Sequence, residues 1–142
     1  MAYRALEVAK YVINHEHERK REITNLRLQK LLYFVQAKVL VETGNPCFDD
    51  EMEAWEFGPV SPSVYHRYKF FGAWNLMEEQ DAPKLPEKST MINEMLDRCA
   101  DYQTWELVDI THMQRPWIEA YKKGKGTVIH NSDIRDFFLN GR

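Results

Sequence analysis

The chain has 142 residues and a mass of 16.9 kDa, which fits one domain with one core and requires neither metal nor disulfides for folding. Nineteen Lys and Arg against twenty-two Asp and Glu leave a net charge of −3, so the chain as a whole does not attract a phosphate backbone. Met1 to Lys10 lack a signal-peptide core, no stretch reaches the roughly eighteen apolar residues of a membrane span, and Cys47 and Cys99 form no CxxC pair. A cytoplasmic protein with free thiols is expected.

In chain order, Leu6, Ala9, Val12 and Ile13 make a first helical stripe that runs out in the polar stretch His15 to Glu22. Thr24 stands at an N-cap position for a second helix, because its hydroxyl can accept from a free backbone N–H in the first turn. Leu28, Leu31, Leu32, Val35 and Val39 share one face of that helix, which predicts a central core helix ending near Gly44. Gln29, Tyr33 and Gln36 form a polar-edged face beside this leucine stripe, where a partner can be met or water can solvate it. Met52 to Phe57 reads as a strand stopped by Gly58-Pro59. Ser61-Pro62 opens a short helix carrying Tyr65, Tyr68 and Phe71, which Gly72 closes.

Ala73 to Lys88, polar and holding Pro83 and Pro86, is expected to be an irregular connection and not a domain boundary. Ile92, Met95, Leu96 and Cys99 predict the next helix. Thr104 is placed as the cap of another carrying Leu107, Val108 and Thr111, and Pro116 opens a further turn. Lys122 to Gly126 reads as an exposed loop, Val128-Ile129 as a short extended piece, and Ser132 as a cap for a last helix with Ile134, Phe137 and Phe138. The fold class is α+β, mainly α-helical, as a single domain over 1–142 with a small β-sheet or hairpin.

Chemistry finds little support in the residue pattern. His15 and His17 are two apart where a helical zinc pair needs four, so they diverge around the helix, and the solvated end of a helix is the better reading. His66, His112 and His130 are isolated in sequence. Cys99 lies on an apolar stripe and Cys47 has no nucleophile signature around it. There is no GxSxG, GxxxxGK or GxGxxG, so no enzyme activity and no cofactor are expected. Arg19, Lys20 and Arg21 before a helix suggest the alternative of a nucleic-acid-binding regulator, but Glu16, Glu18 and Glu22 dilute the basic run.

Leu28-Gln29-Lys30-Leu31-Leu32-Tyr33, then Glu53-Ala54-Trp55-Glu56-Phe57-Gly58-Pro59-Val60, then Val64-Tyr65, resembles the Panacea domain family, also described as SocA-like or phage-associated GepA-like. Leu107 to His112, Pro116-Trp117 and Ile134 to Phe138 resemble its later helices. The resemblance implies the neutralising protein of a toxin–antitoxin pair, whose partner is a small toxin encoded nearby. It also admits an adaptor that delivers the toxin to a Clp protease. Trp55, Phe57, Tyr65 and Trp117 are candidate partner-binding anchors, each with packing in the interior as its alternative, and Gln29, Lys30 and Tyr33 are further contact candidates. Leu28, Leu31, Leu32, Gly58, Pro59, Val60, Thr111 and Pro116 are expected to be structural.

Overall fold

Helix α2 (Asn25–Thr43) is the axle of the molecule. Thr24 accepts from the Arg27 N–H at 3.1 Å and starts it, and Gly44, in the left-handed conformation that favours glycine, ends it. Fourteen of its nineteen residues are buried, so it is enclosed on nearly every side, where the leucine periodicity alone predicted a single buried face. Packed around it are α1 (Ala5–Glu18), α3 (Pro62–Tyr68), α4 (Ser89–Cys99), α5 (Thr104–His112), α7 (Asn131–Asn140) and strand β2 (Gly58–Val60). Strands β1 (Met52–Trp55) and β3 (Val128–Ile129) and helix α6 (Arg115–Lys122) complete the elements of this computed structural model, which describes residues 2–141. The protein is thus a mainly helical α+β domain with a small sheet.

The sheet is antiparallel with strand order β2-β1-β3. Glu53 lies opposite Val60, Ala54 opposite Pro59, and Trp55 opposite Gly58, so Glu56 and Phe57 form the hairpin turn. Gly58-Pro59 was expected to stop a strand and instead opens β2. Proline is tolerated there because β2 is an edge strand and needs no second ladder donor.

The strand expected over Met52 to Phe57 ends at Trp55, and three predicted helix boundaries move. Helix α5 starts at Thr104, one residue after the cap Gln103, whose N–H donates to Glu106 Oε1 at 2.7 Å; the Thr104 hydroxyl instead accepts from Arg27 at 3.2 Å. The cap of α7 is His130, not Ser132. Phe71 lies in a 3-10 turn (Lys69–Phe71) beyond α3. Residues 73–88 are irregular as expected, yet they are tied down: Leu76 and Leu85 are buried, the Leu76 N–H donates to the Ile23 carbonyl at 2.8 Å, and Asn14 exchanges two 2.7 Å bonds with Gln80.

The polar run His15 to Glu22, which begins in the last turn of α1, is a built ion cluster. Glu16 is fully buried and accepts from Arg21 at 3.1 and 2.7 Å, while His15 Nδ1 lies 3.1 Å away. Arg21 and Arg19 also reach Asp97 of α4, at 2.9 and 3.3 Å. Burial pushes the Glu16 carboxyl up, but the bonds from His15 and Arg21 outweigh it and hold the pKa below the ordinary carboxylate value. The stabilisation is therefore present at neutral pH and lost as pH falls through the acid range. Glu16→Gln is expected to lower unfolding free energy by about 2 kcal/mol in urea at pH 7, because a buried charge-assisted pair loses one partner.

Candidate functional site

The two sequence motifs meet in space, one beneath the other. From α2, Lys30 donates to the Pro59 carbonyl, and Gln29 receives the Ser61 N–H at 2.9 Å while its own amide donates to Asn25 at 3.0 Å. Tyr33 donates to Gln114 at 2.7 Å, at the junction of α5 and α6. Gln36 donates to the Phe48 carbonyl at 2.9 Å and accepts from the Cys47 and Phe48 N–H groups at 2.8 and 3.2 Å. The polar face of α2 is real, but it points inward. Gln29, Lys30 and Tyr33 are buried and offer a partner no surface. The physical reason is that short strands and loops bring backbone groups into the interior that a helix cannot pair, and side chains of α2 answer them.

Burial pushes the Lys30 ammonium down to about 7. Between that value and the unfolded lysine value the unfolded chain binds the extra proton, so stability rises with pH there. Burial likewise pushes Cys47 and Cys99, both free and buried thiols, up to about 12, and raises Tyr33. Those acids are deprotonated first in the unfolded chain, so stability falls once pH passes the ordinary thiol value. We expect urea stability to rise by about 1.5 kcal/mol from pH 7 to about 8.5 and then decline. In Lys30→Met the rise should vanish while the decline remains.

Gly58, Pro59 and Val60 are buried against this support. Gly58 has φ +109°, and a Cβ there would lie 2.7 Å from Thr111 Oγ1 and 2.9 Å from Lys30 Cε. Leu28, Leu31, Leu32 and Thr111 are fully buried, and Pro116 is buried at the start of α6.

Above the support, the hairpin is framed by aromatic side chains. Trp55 meets Tyr65 of α3 edge-on at 4.9 Å between centroids, and His66 lies 6.4 Å from Trp55. Lys125 sits 5.6 Å over the Trp55 ring, whose Nε1 donates to Glu53 at 2.9 Å. On α6, Trp117 stacks on Tyr121 at 4.6 Å, packs on His112 at 4.3 Å, and donates to the Trp55 carbonyl at 2.8 Å. His112 Nε2 lies 2.8 Å from the Glu56 carbonyl, so the tautomer that donates there fixes the turn. Trp55, Tyr65 and Trp117 are half-buried: each serves as a wall of the fold and leaves an edge in solvent.

Phe57 at the turn is 57% exposed, Trp105 on α5 is 65% exposed, and Leu26 is 38% exposed. Leu26 is flanked by Asn25, which donates to the Tyr65 carbonyl at 3.2 Å, and by Arg27, which reaches Thr104. These bonds set Leu26 between α3 and the start of α5. Beyond α3 come Phe70, in the 3-10 turn, and Trp74 and Met77, in the irregular segment that follows, at 92%, 80% and 82% exposure. Leu26, Phe70, Trp74, Met77 and Trp105 were not among the residues expected at a surface site, and His66 and His112 were read only as isolated histidines. The signal of the apolar ones was a large side chain out of register with a buried stripe, as Trp105 is beside Leu107 and Val108. Arg19 and Arg21, the basis of the nucleic-acid reading, are engaged by Asp97 and Glu16. Among the described residues no helix is long and apolar enough to cross a membrane, and no group of three His, Cys, Asp or Glu is arranged to hold a metal.

The sequence model of the family described as Antitoxin SocA-like, Panacea domain, matches residues 28–118, from the leucine stripe of α2 to the middle of α6. Ile134 to Phe138, where the resemblance was extended to the last helix, lies beyond the matched residues. Antitoxin SocA of Caulobacter vibrioides (strain NA1000 / CB15N) is 50% identical over 50 residues, which are 35% of this chain and 27% of that protein. The match thus spans about a quarter of that relative's length. No solved structure matches the chain. With the greater part of its length covered by the family model and both motifs in contact through Lys30, Gly58 and Pro59, the chain belongs to the SocA-like, Panacea domain family.

Proposed function

We propose that this chain is the antitoxin of a toxin–antitoxin pair and neutralises a small protein toxin by direct binding at the surface around the β1–β2 hairpin. The observation that carries the reading is the exposure of Phe57, Trp105 and Leu26 around a frame fixed by hydrogen bonds and ring stacking. Large apolar side chains grouped in solvent mark a binding surface more often than an accident of folding. Rigid anchors also lose little entropy on association, so the buried area is converted to affinity. The proposed surface continues past the end of α3 to Phe70, Trp74 and Met77. Trp55, Tyr65 and Trp117 hold it in shape and add their exposed edges, while Lys125, His66 and Asp109, exposed one turn after Trp105 on α5, give it a polar rim that sets orientation. The relative named Antitoxin SocA supports the same assignment.

The test is growth of bacteria expressing each neighbouring open reading frame with and without this chain, followed by co-purification. Rescue with a stable complex is the expected result. Rescue that needs a Clp protease and leaves no stable complex would replace sequestration by delivery. Absence of any toxic product or of any rescue would overturn the antitoxin reading.

A further inference from the structure

Strand β3 forms one edge of the sheet and β2 the other. The Ala54 N–H donates to the Thr127 carbonyl at 2.9 Å, and Met52 lies opposite Ile129. Bonded and non-bonded pairs alternate along an antiparallel ladder. Glu53 bonds toward β2, so its pairing with Val128 is a non-bonded one. The Val128 N–H and C=O therefore turn away from β1, toward the free edge. A groove of about 360 Å³ opens there between α6 and α7, with Val128 and His130 in its lining.

The α7 wall of this groove is acidic, with Asp133 and Asp136 one turn apart, and the α6 wall carries an excess of basic charge: Arg115 at the start of the helix and Lys123 just past its end flank Glu119, which Lys122 approaches at 3.6 Å. Arg115, Lys123, Asp133 and Asp136 are exposed, and none of these four forms an ion pair among the described residues. A ligand suited to this site has backbone groups to complete the edge and charged side chains of both signs for the two walls. We propose that the groove takes an extended polypeptide segment of a partner, added as a fourth strand at Val128, with basic side chains toward Asp133 and Asp136 and acidic ones toward Arg115 and Lys123. The site shares no residue with the hairpin surface, so the proposal stands or falls independently of toxin neutralisation.

Labelled ten-residue peptides in which β-branched residues alternate with Lys, with Glu, or with Lys and Glu in turn are the probes, titrated by fluorescence anisotropy into the full chain. The peptide carrying both charges is expected to bind best and to weaken with salt. Methylating its alternate backbone nitrogens should weaken it at least about tenfold. Val128→Pro removes only the outward donor, a substitution an edge strand accepts, and should cause a similar loss with an unchanged melting temperature. Asp133→Asn with Asp136→Asn should lower affinity about tenfold and flatten the salt dependence; this pair decides the matter if the proline variant does not fold. Lack of binding by all three peptides, or equal binding to every variant, would overturn the proposal. A concentration-dependent dimer abolished by Val128→Pro would overturn it in favour of a second copy of this chain.

Discussion

Gly58→Ala is expected to destabilise the protein by about 3 kcal/mol, measured by urea unfolding, and to abolish rescue of toxin-expressing cells at the upper end of the growth temperature range. Two effects combine. At φ +109° an L side chain is strained by about 1 kcal/mol. The new Cβ also meets Thr111 Oγ1 and Lys30 Cε at distances below contact. Neither neighbour can yield at small cost: Thr111 is held to the Val108 carbonyl at 2.8 Å, and Lys30 is fixed on Pro59 in a space closed to water. Overpacking of this kind costs roughly a further 1–3 kcal/mol. Gly44→Ala is the control. Its φ of +78° imposes the conformational cost, but nothing lies near its Cβ, so a loss of only about 1 kcal/mol is expected. Equal losses at the two positions would show that the tight contact beneath the hairpin contributes nothing.

Phe57→Ala and Trp105→Ala should each weaken toxin binding by about thirtyfold or more, in a calorimetric titration, while moving unfolding free energy by less than about 0.5 kcal/mol. The separation follows from exposure. Neither side chain supports the core, so truncation removes only contacts made in the complex. Trp117→Ala contrasts with both, because it also removes the 2.8 Å bond to the Trp55 carbonyl and the stack on Tyr121. That variant should lose stability as well as affinity. If Phe57 and Trp105 could be truncated with affinity intact, the toxin would have to bind elsewhere.

The legible part of the fold was its local part. Thr24, the leucine stripe and Gly44 define α2 from one end to the other, because a cap and a 3.6-residue period depend only on near neighbours. The helices carrying Leu96, Leu107 and Ile134 follow from the same signals. What periodicity cannot give is the direction in which a polar face points. Gln29, Tyr33 and Gln36 lie on one face as read, but their partners are Ser61, Gln114 and the Cys47–Phe48 backbone. No sequence window contains both halves of those contacts. Glu16 stands in one short stretch with its partners His15 and Arg21, but Asp97, which Arg21 also reaches, is remote in sequence, and only packing against α4 turns this solvated-looking run into a buried cluster.

The candidate site divides along the same line. Trp55, Tyr65 and Trp117 were read as anchors and do gather around the hairpin, since large aromatics beside a short strand have few other places to pack. Lys30 was read as a contact and is instead the buried donor that holds Pro59. Of the two family motifs, the Leu-Gln-Lys segment faces inward, while Phe57 of the second lies on the outer side. Trp105 and Leu26 were hidden in helices whose buried stripes drew the reading, although each is a large apolar residue off its stripe.

Hydrogen–deuterium exchange of this chain, alone and bound to the toxin identified by rescue of growth, tests the central claim most directly. Slowed exchange is expected in residues 55–58 of the hairpin, in 64–70 through α3, and in 105–112 of α5, with the interior of α2 unchanged. Unaltered exchange in all three segments, with protection confined to other parts of the chain, would contradict binding at the hairpin surface.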